Sequence, residues 1–388
     1  MKRIRVLEII SGFAVEGPLG GIERFGIELS QSLDLDHIEP IVCGMWAYGT
    51  PYEYGWVEKL NNQGIQAFIA ADWNESSPYT SFKEAYRGIK RQINGSIDII
   101  HSHCQFGDPL AMLLRQRFKT KALIRTVHNE REWGKRPFRR AFLTNGLYPK
   151  SFDIEIGVAQ QVVDNLDKRP IAQFLNKKAI KGYNAINTYR FTKEVNKAHV
   201  RASLNLPKDA YVIGTIGRLT EQKGYTVLLN AVSPVLKENP DTYFIIAGTG
   251  HLESYLQNQT KELGIEHNVR FLGTRNDIED LLPTFDIFVN SSLWEGLPTV
   301  IMESMLAKVP VLATAVGGNA ELIEDIVTGF LVKPDDAVAL ANKINDILDM
   351  EPNSLKKITN SAQQFIKNNF SIATVAQQHV DIYKQVMG

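Results

Sequence analysis

Short apolar runs typical of buried strands alternate with helical patterns along the whole of this chain. One example is Tyr211-Val-Ile-Gly-Thr-Ile, which ends at Gly217 and leads into a helical pattern that begins at Tyr225. Such alternation favours parallel sheets with helices on both faces, the doubly wound α/β class. In the first half of the chain it predicts strands near residues 4–10, 39–44, 65–70, 97–103, 122–128 and 153–159.

The length of the chain predicts two domains, because 388 residues exceed what one hydrophobic core usually supports. We expect Rossmann-like domains at residues 1–185 and 186–370, followed by a terminal helix at 371–388. A formal net charge of zero with 44% hydrophobic residues excludes disordered and nucleic-acid-binding classes. Only Cys43 and Cys104 are present, which favours a reducing cytoplasm over a disulfide framework.

Two glutamates, Glu295 and Glu303, lie eight residues apart around a predicted helix start, where Pro298 suits the first helical position. The free amides of the first helical turn, with the helix dipole, form a ready site for phosphate. One carboxylate could accept bonds from sugar hydroxyls and the other from a ribose diol. The spacing alone is weak evidence, because two glutamates eight residues apart are more often a solvated loop residue and an exposed helical residue, so their surroundings must decide.

A cationic loop follows the strand that ends at Gly217, in the sequence Gly217-Arg218-Leu-Thr-Glu-Gln-Lys223-Gly224. The carboxyl end of a strand faces the crevice where open α/β sheets bind ligands. Arg218 offers a forked guanidinium to phosphate oxygens and Lys223 a point charge, although a solvated loop lysine is the alternative for Lys223. The pair Gly248-x-Gly250 is not a dinucleotide fingerprint, because Glu253 occupies the place of the third glycine.

Together, the Glu-x7-Glu pattern and the Gly-Arg-Leu-x-x-x-Lys-Gly pattern resemble the retaining GT-B glycosyltransferases of family 4, also called glycosyl transferases group 1. The resemblance implies two Rossmann-like domains facing a cleft, with the terminal helix crossing back onto the first domain. It assigns catalytic roles to Glu295, His128, Arg218 and Lys223. It assigns donor contacts to Arg218, Lys223 and Glu295 and also to Gly20, Gly21, Phe271, Leu272, Gly296, Leu297, Thr299, Val300 and Glu303.

Histidines at predicted strand ends in the first domain offer further candidates. His128 resembles the family's Thr-x-His-Asp histidine near the reacting carbon, but Asn129 stands where Asp is usual, and a packed structural histidine is the alternative. His101 and His103 share one face of a strand, yet no third ligand occurs at sensible spacing, so we expect no metal. By resemblance, His103 lines the acceptor side of the cleft.

A basic segment runs from Arg115 to Arg140, with ten Lys or Arg against Glu130 and Glu132. Such a run is usually a solvated face. The alternative is an acceptor face, with Arg136 and Arg139, that binds a lipid-linked diphosphate at an anionic membrane surface.

The resemblance thus predicts a metal-independent, retaining hexosyltransferase that uses a nucleotide diphosphate sugar, with UDP-glucose as the first choice. We expect a glycan or lipid-linked acceptor in exopolysaccharide assembly, and a cytoplasmic protein with a peripheral contact at the inner membrane face as an open alternative. Nucleic acid is not an expected partner. A UDP-sugar epimerase, a glycan phosphorylase and a non-catalytic sugar-nucleotide-binding subunit remain alternative functions.

Overall fold

The computed structural model describes residues 3–15, 20–129, 132–133 and 136–388. The chain forms two compact units, one of Met1–Ala185 with Ile372–Gly388 and the other of Ile186–Ser371. Each unit is an α/β domain built on one parallel sheet, which confirms the predicted fold class.

Seven parallel strands form the sheet of the first unit, in the order β3-β2-β1-β4-β5-β6-β7. The bounds are β1 (Ile4–Ile10), β2 (Ile38–Ala47), β3 (Gln66–Asp72), β4 (Ile99–Ser102), β5 (Ala122–Val127), β6 (Ile154–Gly157) and β7 (Ile180–Lys181). All six predicted strands are present. The seventh was missed because it has only two residues at a sheet edge, too few to carry a hydrophobic pattern.

Helices cover both faces of this sheet. They are α1 (Gly21–Ser32), α2 (Glu53–Asn62), α3 (Pro78–Gln92), α4 (Gly107–Phe118), α5 (Pro137–Arg139), a π-helix (Arg140–Leu147), α6 (Tyr148–Ser151), α7 (Gln160–Asp167) and α8 (Pro170–Phe174).

The sheet of the second unit has six parallel strands in the order β10-β9-β8-β11-β12-β13. Their bounds are β8 (Tyr211–Ile216), β9 (Thr242–Ala247), β10 (Val269–Gly273), β11 (Ile287–Asn290), β12 (Val311–Thr314) and β13 (Phe330–Val332). The helices are α9 (Lys197–Ser203), α10 (Tyr225–Glu238), α11 (Glu253–Glu262), α12 (Ile278–Leu281), α13 (Thr299–Leu306), α14 (Asn319–Leu322), α15 (Ala337–Leu348) and α16 (Pro352–Asn369).

The last helix, α17 (Ile372–Met387), belongs to the first unit, where it packs on α1. Its apolar face joins the core beneath β1, β4 and β5, with Val375, Val380 and Tyr383 fully buried there. In the part of the chain that the structure describes, no helix is long and apolar enough to cross a membrane.

Strand order reverses between β1 and β4 in the first unit and between β8 and β11 in the second. At such a reversal the loops leave the sheet in opposite directions, and the crevice at the carboxyl ends of the strands binds ligands in open α/β folds. The predicted phosphate-binding helix α13 follows β11. It begins one residue later than predicted, because Pro298 is still extended at φ −75° and ψ 115°.

Candidate donor-binding site

Close backbone approaches bring the loops of the second unit together at its strand reversal. Gly224 has φ +61°, and a Cβ added there would lie 2.1 Å from the carbonyl oxygen of Ser291, in the loop after β11. Gly248, at φ +137°, approaches the carbonyl oxygen of Gly217 equally tightly, so that its added Cβ would lie 2.0 Å away. Only glycine combines these backbone angles with such contacts. Gly224 therefore lets the cationic loop pack directly against the Glu295 loop, and Gly248 lets the loop after β9 pack against the cationic loop.

The Glu295 loop is held from its other side by the loop after β12. A Cβ on Gly317 or Gly318 would lie 2.1 Å from the carbonyl oxygen of Glu295 or Gly296, respectively. The amide of Gly318 also donates to the Gly296 oxygen at 2.8 Å. With backbone packed on both sides, this loop has one defined conformation, which sets the direction of the Glu295 side chain.

Lys223 and Glu295 form an ion pair, with Nζ 2.5 Å from Oε1. The same oxygen accepts a hydrogen bond from Ser292 Oγ at 2.6 Å, and Oε2 accepts one from Gln222 Nε2 at 3.3 Å. Glu295 is only 5% exposed, so these donors replace the water that its carboxylate loses on burial. An ammonium has three donors, and this contact with the carboxylate uses one of them.

Arg218 lies at the carboxyl end of β8, exposed, and it forms no ion pair with any residue that the structure describes. Its guanidinium is therefore available to an anionic ligand. After β11, Gly296 and Leu297 are buried, while Thr299 and Val300 are half-buried in the first turn of α13. The strand reversal between β8 and β11, called the switch point below, thus combines the guanidinium of Arg218, the ammonium of Lys223 and the start of α13. These groups together suit the binding of a diphosphate.

Glu303 is held by a different cation from the one that holds Glu295. Arg190 Nη1 donates to Glu303 at 3.0 Å, and Arg190 Nε donates to Glu279 at 2.7 Å. The carboxylate of Glu303 is partly accessible at the first turns of α13. Phe271 and Leu272, the predicted neighbours of the base, lie half-buried in edge strand β10, two strands away from β8.

A buried polar cluster occupies the reversal point of the first unit. His103 Nε2 lies 2.8 Å from Glu8 Oε2, and Tyr383 donates its hydroxyl to Glu8 Oε1 at 2.8 Å. Burial raises the pKa of Glu8 to about 7 and lowers the pKa of His103 to about 3. Below about pH 7 the proton therefore resides on Glu8, which donates it to a neutral His103.

His101 belongs to the same cluster, and its Nδ1 lies 3.3 Å from Glu8 Oε2. Glu8, His101 and His103 offer ligand atoms that all lie within 4.8 Å of one another. The sequence argument that no third ligand accompanies the two histidines was therefore wrong, because strand pairing supplies Glu8 from β1. In the structure these atoms bind one another and Tyr383, and the expected absence of a metal stays a prediction.

His128 follows β5 and is oriented by Asn184, whose side-chain oxygen lies 2.8 Å from its Nδ1. Burial lowers the pKa of His128 to about 3, so the ring is neutral, and the bond to Asn184 places its proton on Nδ1. Nε2 then carries a lone pair without a hydrogen-bond donor among the described residues. Position 129, where the family usually has Asp, is Asn in this chain. Asn184 instead provides the hydrogen bond that orients the His128 ring.

The remaining predicted residues of the first unit differ in how exposed they are. Gly20 is exposed and Gly21 begins α1, while the neighbouring residues 16–19 lie outside the described part of the chain. His103 is buried within the unit instead of lying at its surface. Arg136 and Arg139 are exposed, and residues 130–131 and 134–135 of the same basic segment are not among the described residues.

Residues 196–368 match the family described as glycosyl transferases group 1. This stretch contains β8 to β13 and the whole Lys223–Glu295 site. The second unit therefore belongs to glycosyl transferases group 1.

Relatives of the chain differ in how much of it they cover. An uncharacterized glycosyltransferase of Methanocaldococcus jannaschii is 31% identical over 53% of each chain. An α-1,3-galactosyltransferase of Escherichia coli, named for UDP-Gal and a diphosphoundecaprenol acceptor, is 28% identical over 52% of each. The chain thus spans about half the length of these two relatives. The putative glycosyltransferase EpsD of Bacillus subtilis is 26% identical over 88% of this chain and 93% of its own length.

Solved structures share the fold along the whole chain. HepE of Anabaena, solved with UDP and glucose, has a TM-score of 0.80 and 20% identity, covering 99% of this chain and all of HepE. A sucrose-phosphate synthase from Thermosynechococcus elongatus has a TM-score of 0.81 and 19% identity, with 99% of each chain covered. At these identities the likeness shows the GT-B fold alone.

Sequence reasoning missed the residues that orient the candidate site residues. Arg190, Asn184 and Ser292 hold Glu303, His128 and Glu295, respectively. Arg190 lies 113 residues before Glu303 and Asn184 lies 56 residues after His128, so no local pattern links the partners. Only Ser292, three residues before Glu295, was within reach of a sequence argument.

Proposed function

We propose that this protein is a retaining glycosyltransferase that moves a hexose from a UDP-sugar to a glycan or lipid-linked acceptor in exopolysaccharide assembly in the cytoplasm. The observation that carries the proposal is the ion pair between the partly buried Lys223 and the buried Glu295, at the switch point beside the start of α13. It provides a carboxylate for sugar hydroxyls and a cation for the diphosphate on neighbouring loops.

The protein's contribution to the reaction is electrostatic. Charge grows on the diphosphate as the bond to the sugar breaks, and preorganised donors in a site with little water stabilise that charge strongly. Arg218 and the two remaining donors of Lys223 supply positive charge, and the amides at the start of α13 add the helix dipole. The leaving phosphate takes the acceptor proton, so no separate carboxylate base is required.

Glu295 positions the sugar. Ser292 and Lys223 hold one of its oxygens, while its other oxygen has a long bond to Gln222, which a sugar hydroxyl can replace. A carboxylate held in one place fixes the orientation of the reacting carbon, and small displacements of reacting groups lower rates strongly.

Glu303 holds the ribose diol at the other end of the donor. Its ion pair with Arg190 keeps the carboxylate in one direction and leaves its second oxygen without a hydrogen bond to Arg190. This contact is far from the chemistry, so it contributes about equally to the ground state and to the transition state.

UDP-glucose is the proposed first donor. HepE, which shares the fold, has been solved in complex with UDP-glucose, whereas the Escherichia coli relative is named for UDP-Gal. Both names support a uridine nucleotide and leave the hexose to experiment. Positive charge at the switch point makes a divalent metal unnecessary for binding the diphosphate, so we propose metal-independent transfer.

Calorimetry with UDP alone tests the assignment of the two glutamates, because UDP has the ribose and diphosphate but no sugar. Glu295→Gln should lower kcat strongly and leave UDP affinity nearly unchanged. Glu303→Gln should weaken UDP by about 1.5–3 kcal/mol, the value of a lost charged hydrogen bond. Glu266→Gln, at an exposed position of the same unit, is the matched control and should bind UDP like the parent.

The opposite pattern, in which Glu295→Gln weakens UDP and Glu303→Gln does not, would reverse the proposed orientation of the donor. The same preparation separates the alternative functions when it is incubated with donor, acceptor and free phosphate. Transfer to the acceptor supports the proposal, sugar phosphate would indicate a phosphorylase, and a changed sugar on UDP would indicate an epimerase. UDP binding without any turnover would indicate a binding subunit.

A further inference from the structure

Aromatic residues are concentrated in two short segments of the first unit. Residues 46–56 contain five Trp or Tyr and residues 73–82 contain three aromatic residues, in a chain that is 9% aromatic. Neither segment contains Lys or Arg. Both segments lie where a strand ends, because β2 ends at Ala47 and β3 at Asp72. The concentration is therefore at the carboxyl edge of the first sheet, the edge at which open α/β folds bind ligands.

Four aromatic rings contact one another along this edge. The ring centroid of Trp73 lies 4.7 Å from that of Trp46 and 6.1 Å from that of Tyr48. Phe106, in the loop after β4, also contacts Trp46, with ring centroids 5.3 Å apart. Trp46 is 2% exposed, whereas Tyr48, Trp73 and Phe106 are half-buried and stay accessible in part. We call these three half-buried rings, with Trp46 as their buried support, the aromatic row.

Buried hydrogen bonds fix the loops that carry the aromatic row. The carboxylate of Glu53 is fully buried, and it accepts hydrogen bonds from the backbone amides of residues 48–50 at 2.9–3.1 Å. The amide of Trp73 donates to the carbonyl oxygen of Ala47 at 2.8 Å, which joins the loop after β3 to the end of β2. Rings that are already held in place lose little conformational freedom when a ligand binds, which favours affinity.

Two buried polar atoms in the same part of the fold lack a hydrogen-bond partner among the described residues. They are the indole nitrogen Nε1 of Trp46 and the hydroxyl oxygen of Thr50. A buried donor or acceptor that is left unpaired costs about 1–3 kcal/mol. A ligand that offers hydroxyl groups can supply the missing partners.

We propose that the aromatic row binds the neutral sugar chain of the acceptor glycan. A pyranose ring has a face of C–H groups, which stack on the negative face of an aromatic ring. Its hydroxyls lie around the rim, where they meet the few polar groups that accompany the aromatic side chains of a binding site. The proposal rests on the proposed function, because it names the class of acceptor and the residues that bind it.

Charge and position favour a neutral glycan over other occupants. Ligands that carry phosphate, including lipid headgroups, bind to cations, and neither aromatic segment has any. Protein interfaces are enriched in arginine as well as in aromatic residues, and arginine is absent here. The aromatic row also shares its sheet edge with His128, the predicted neighbour of the reacting carbon, because His128 follows β5. A sugar chain along this edge therefore leads towards the candidate site.

Fluorine NMR of the full chain labelled with 5-fluorotryptophan tests sugar binding without any donor. The chain has five tryptophans, whose signals are assigned by single Trp→Phe substitutions. The probes are the neutral tetrasaccharides cellotetraose, maltotetraose and chitotetraose. At millimolar concentration, at least one of them should shift the signals of Trp46 and Trp73 and leave that of Trp294, in the second unit, unchanged. Glucose should shift these signals less, because a single ring covers less of the aromatic row.

Two substitutions of Trp73 separate stacking from packing. Trp73→Leu keeps an apolar side chain against Trp46 but removes the flat ring, so the dissociation constant of the bound tetrasaccharide should rise about tenfold. Trp73→Phe keeps a ring and should recover most of the affinity. Tyr255→Leu, which removes an exposed ring from α11, is the matched control and should bind like the parent. In the transfer reaction, Trp73→Leu should raise the KM for the acceptor and leave kcat unchanged.

Three outcomes would overturn the proposal. None of the tetrasaccharides could shift the Trp46 and Trp73 signals, which would leave the aromatic row to a protein partner. Trp73→Leu could bind the sugar as well as Tyr255→Leu does, or the Trp294 signal could shift as much as the other two. Shifts without any transfer would contradict the proposed function and leave the sugar site, whereas transfer without shifts would contradict the aromatic row alone.

Discussion

Replacing Lys223 by Met should destabilise the second unit far more than the change in side-chain volume explains. The Lys223 and Glu295 side chains are 16% and 6% exposed, and the Lys223 contact is the one ion pair that Glu295 forms among the described residues. The substitution leaves a buried carboxylate with only Ser292 and Gln222 as donors. The loss of a charge partner is therefore the main cost.

The magnitude follows from the burial of the pair. Removing one member of a fully buried pair costs about 3–5 kcal/mol, and the residual exposure on the lysine side lowers our expectation to about 2–3 kcal/mol. Glu295→Gln should cost less, about 1–2 kcal/mol, because the amide keeps the hydrogen bond from Ser292 and the freed lysine can turn to water. In the double variant the two costs should not add, with a coupling energy of at least about 1 kcal/mol.

Native-state hydrogen exchange in urea, read from peptides of β8 and β11, measures the second unit separately from the first. This separation matters because a chain with two units does not unfold in a single two-state step. Lys237→Met, at an exposed position of α10, is the matched control and should stay within about 0.5 kcal/mol of the parent. The reasoning fails if Lys223→Met costs no more than this control, or if the coupling energy is below about 0.5 kcal/mol.

Three further predictions follow from other parts of the molecule. Because burial raises the pKa of Glu8 from 4.5 to about 7, its carboxyl stabilises the fold below about pH 4.5 and loses that contribution as the pH rises through about 7. Glu8→Gln keeps an acceptor for Tyr383 and a donor for His103 at every pH. The Tm of the variant minus the Tm of the parent should therefore increase from about pH 5 to about pH 8. Parallel Tm curves would contradict this. Gly224→Ala should cost more than about 2 kcal/mol in the same exchange assay, because its Cβ meets a carbonyl oxygen, whereas Gly264→Ala, with φ +65° but open space, should cost about 1 kcal/mol. Transfer activity should survive EDTA, and complete loss that manganese restores would refute metal independence.

Much of the fold was predictable because local sequence patterns specify its helices and strands. Apolar runs that end at glycine or small polar residues, followed by helical periodicity, predicted the strands from β1 to β6 and the parallel arrangement of both sheets. Helix and strand periods are set by the chain itself, so a window of ten to twenty residues suffices to recognise them. Edge strand β7 escaped because two residues carry no period.

The candidate site was predictable only in part. The motifs identified Arg218, Lys223, Glu295 and Glu303, because strand-end loops carry the ligand-binding residues in open α/β folds. The sequence did not indicate that Lys223 binds Glu295 directly, nor that Arg190 binds Glu303. The roles of these residues in catalysis and donor binding remain predictions for the experiments above.

The amino-acid sequence by itself determined the elements, their parallel order and the loops that carry charge. Tertiary structure alone decided which charges are paired and which groups are neutral. Glu8 and Tyr383 are 375 residues apart, yet strand pairing and the packing of α17 bring them within hydrogen-bond distance in a buried site. Burial there raises the pKa of one group and lowers that of another, and burial is a property of the assembled core. A local pattern specifies backbone conformation, whereas the protonation and pairing of a side chain depend on groups that only folding brings near.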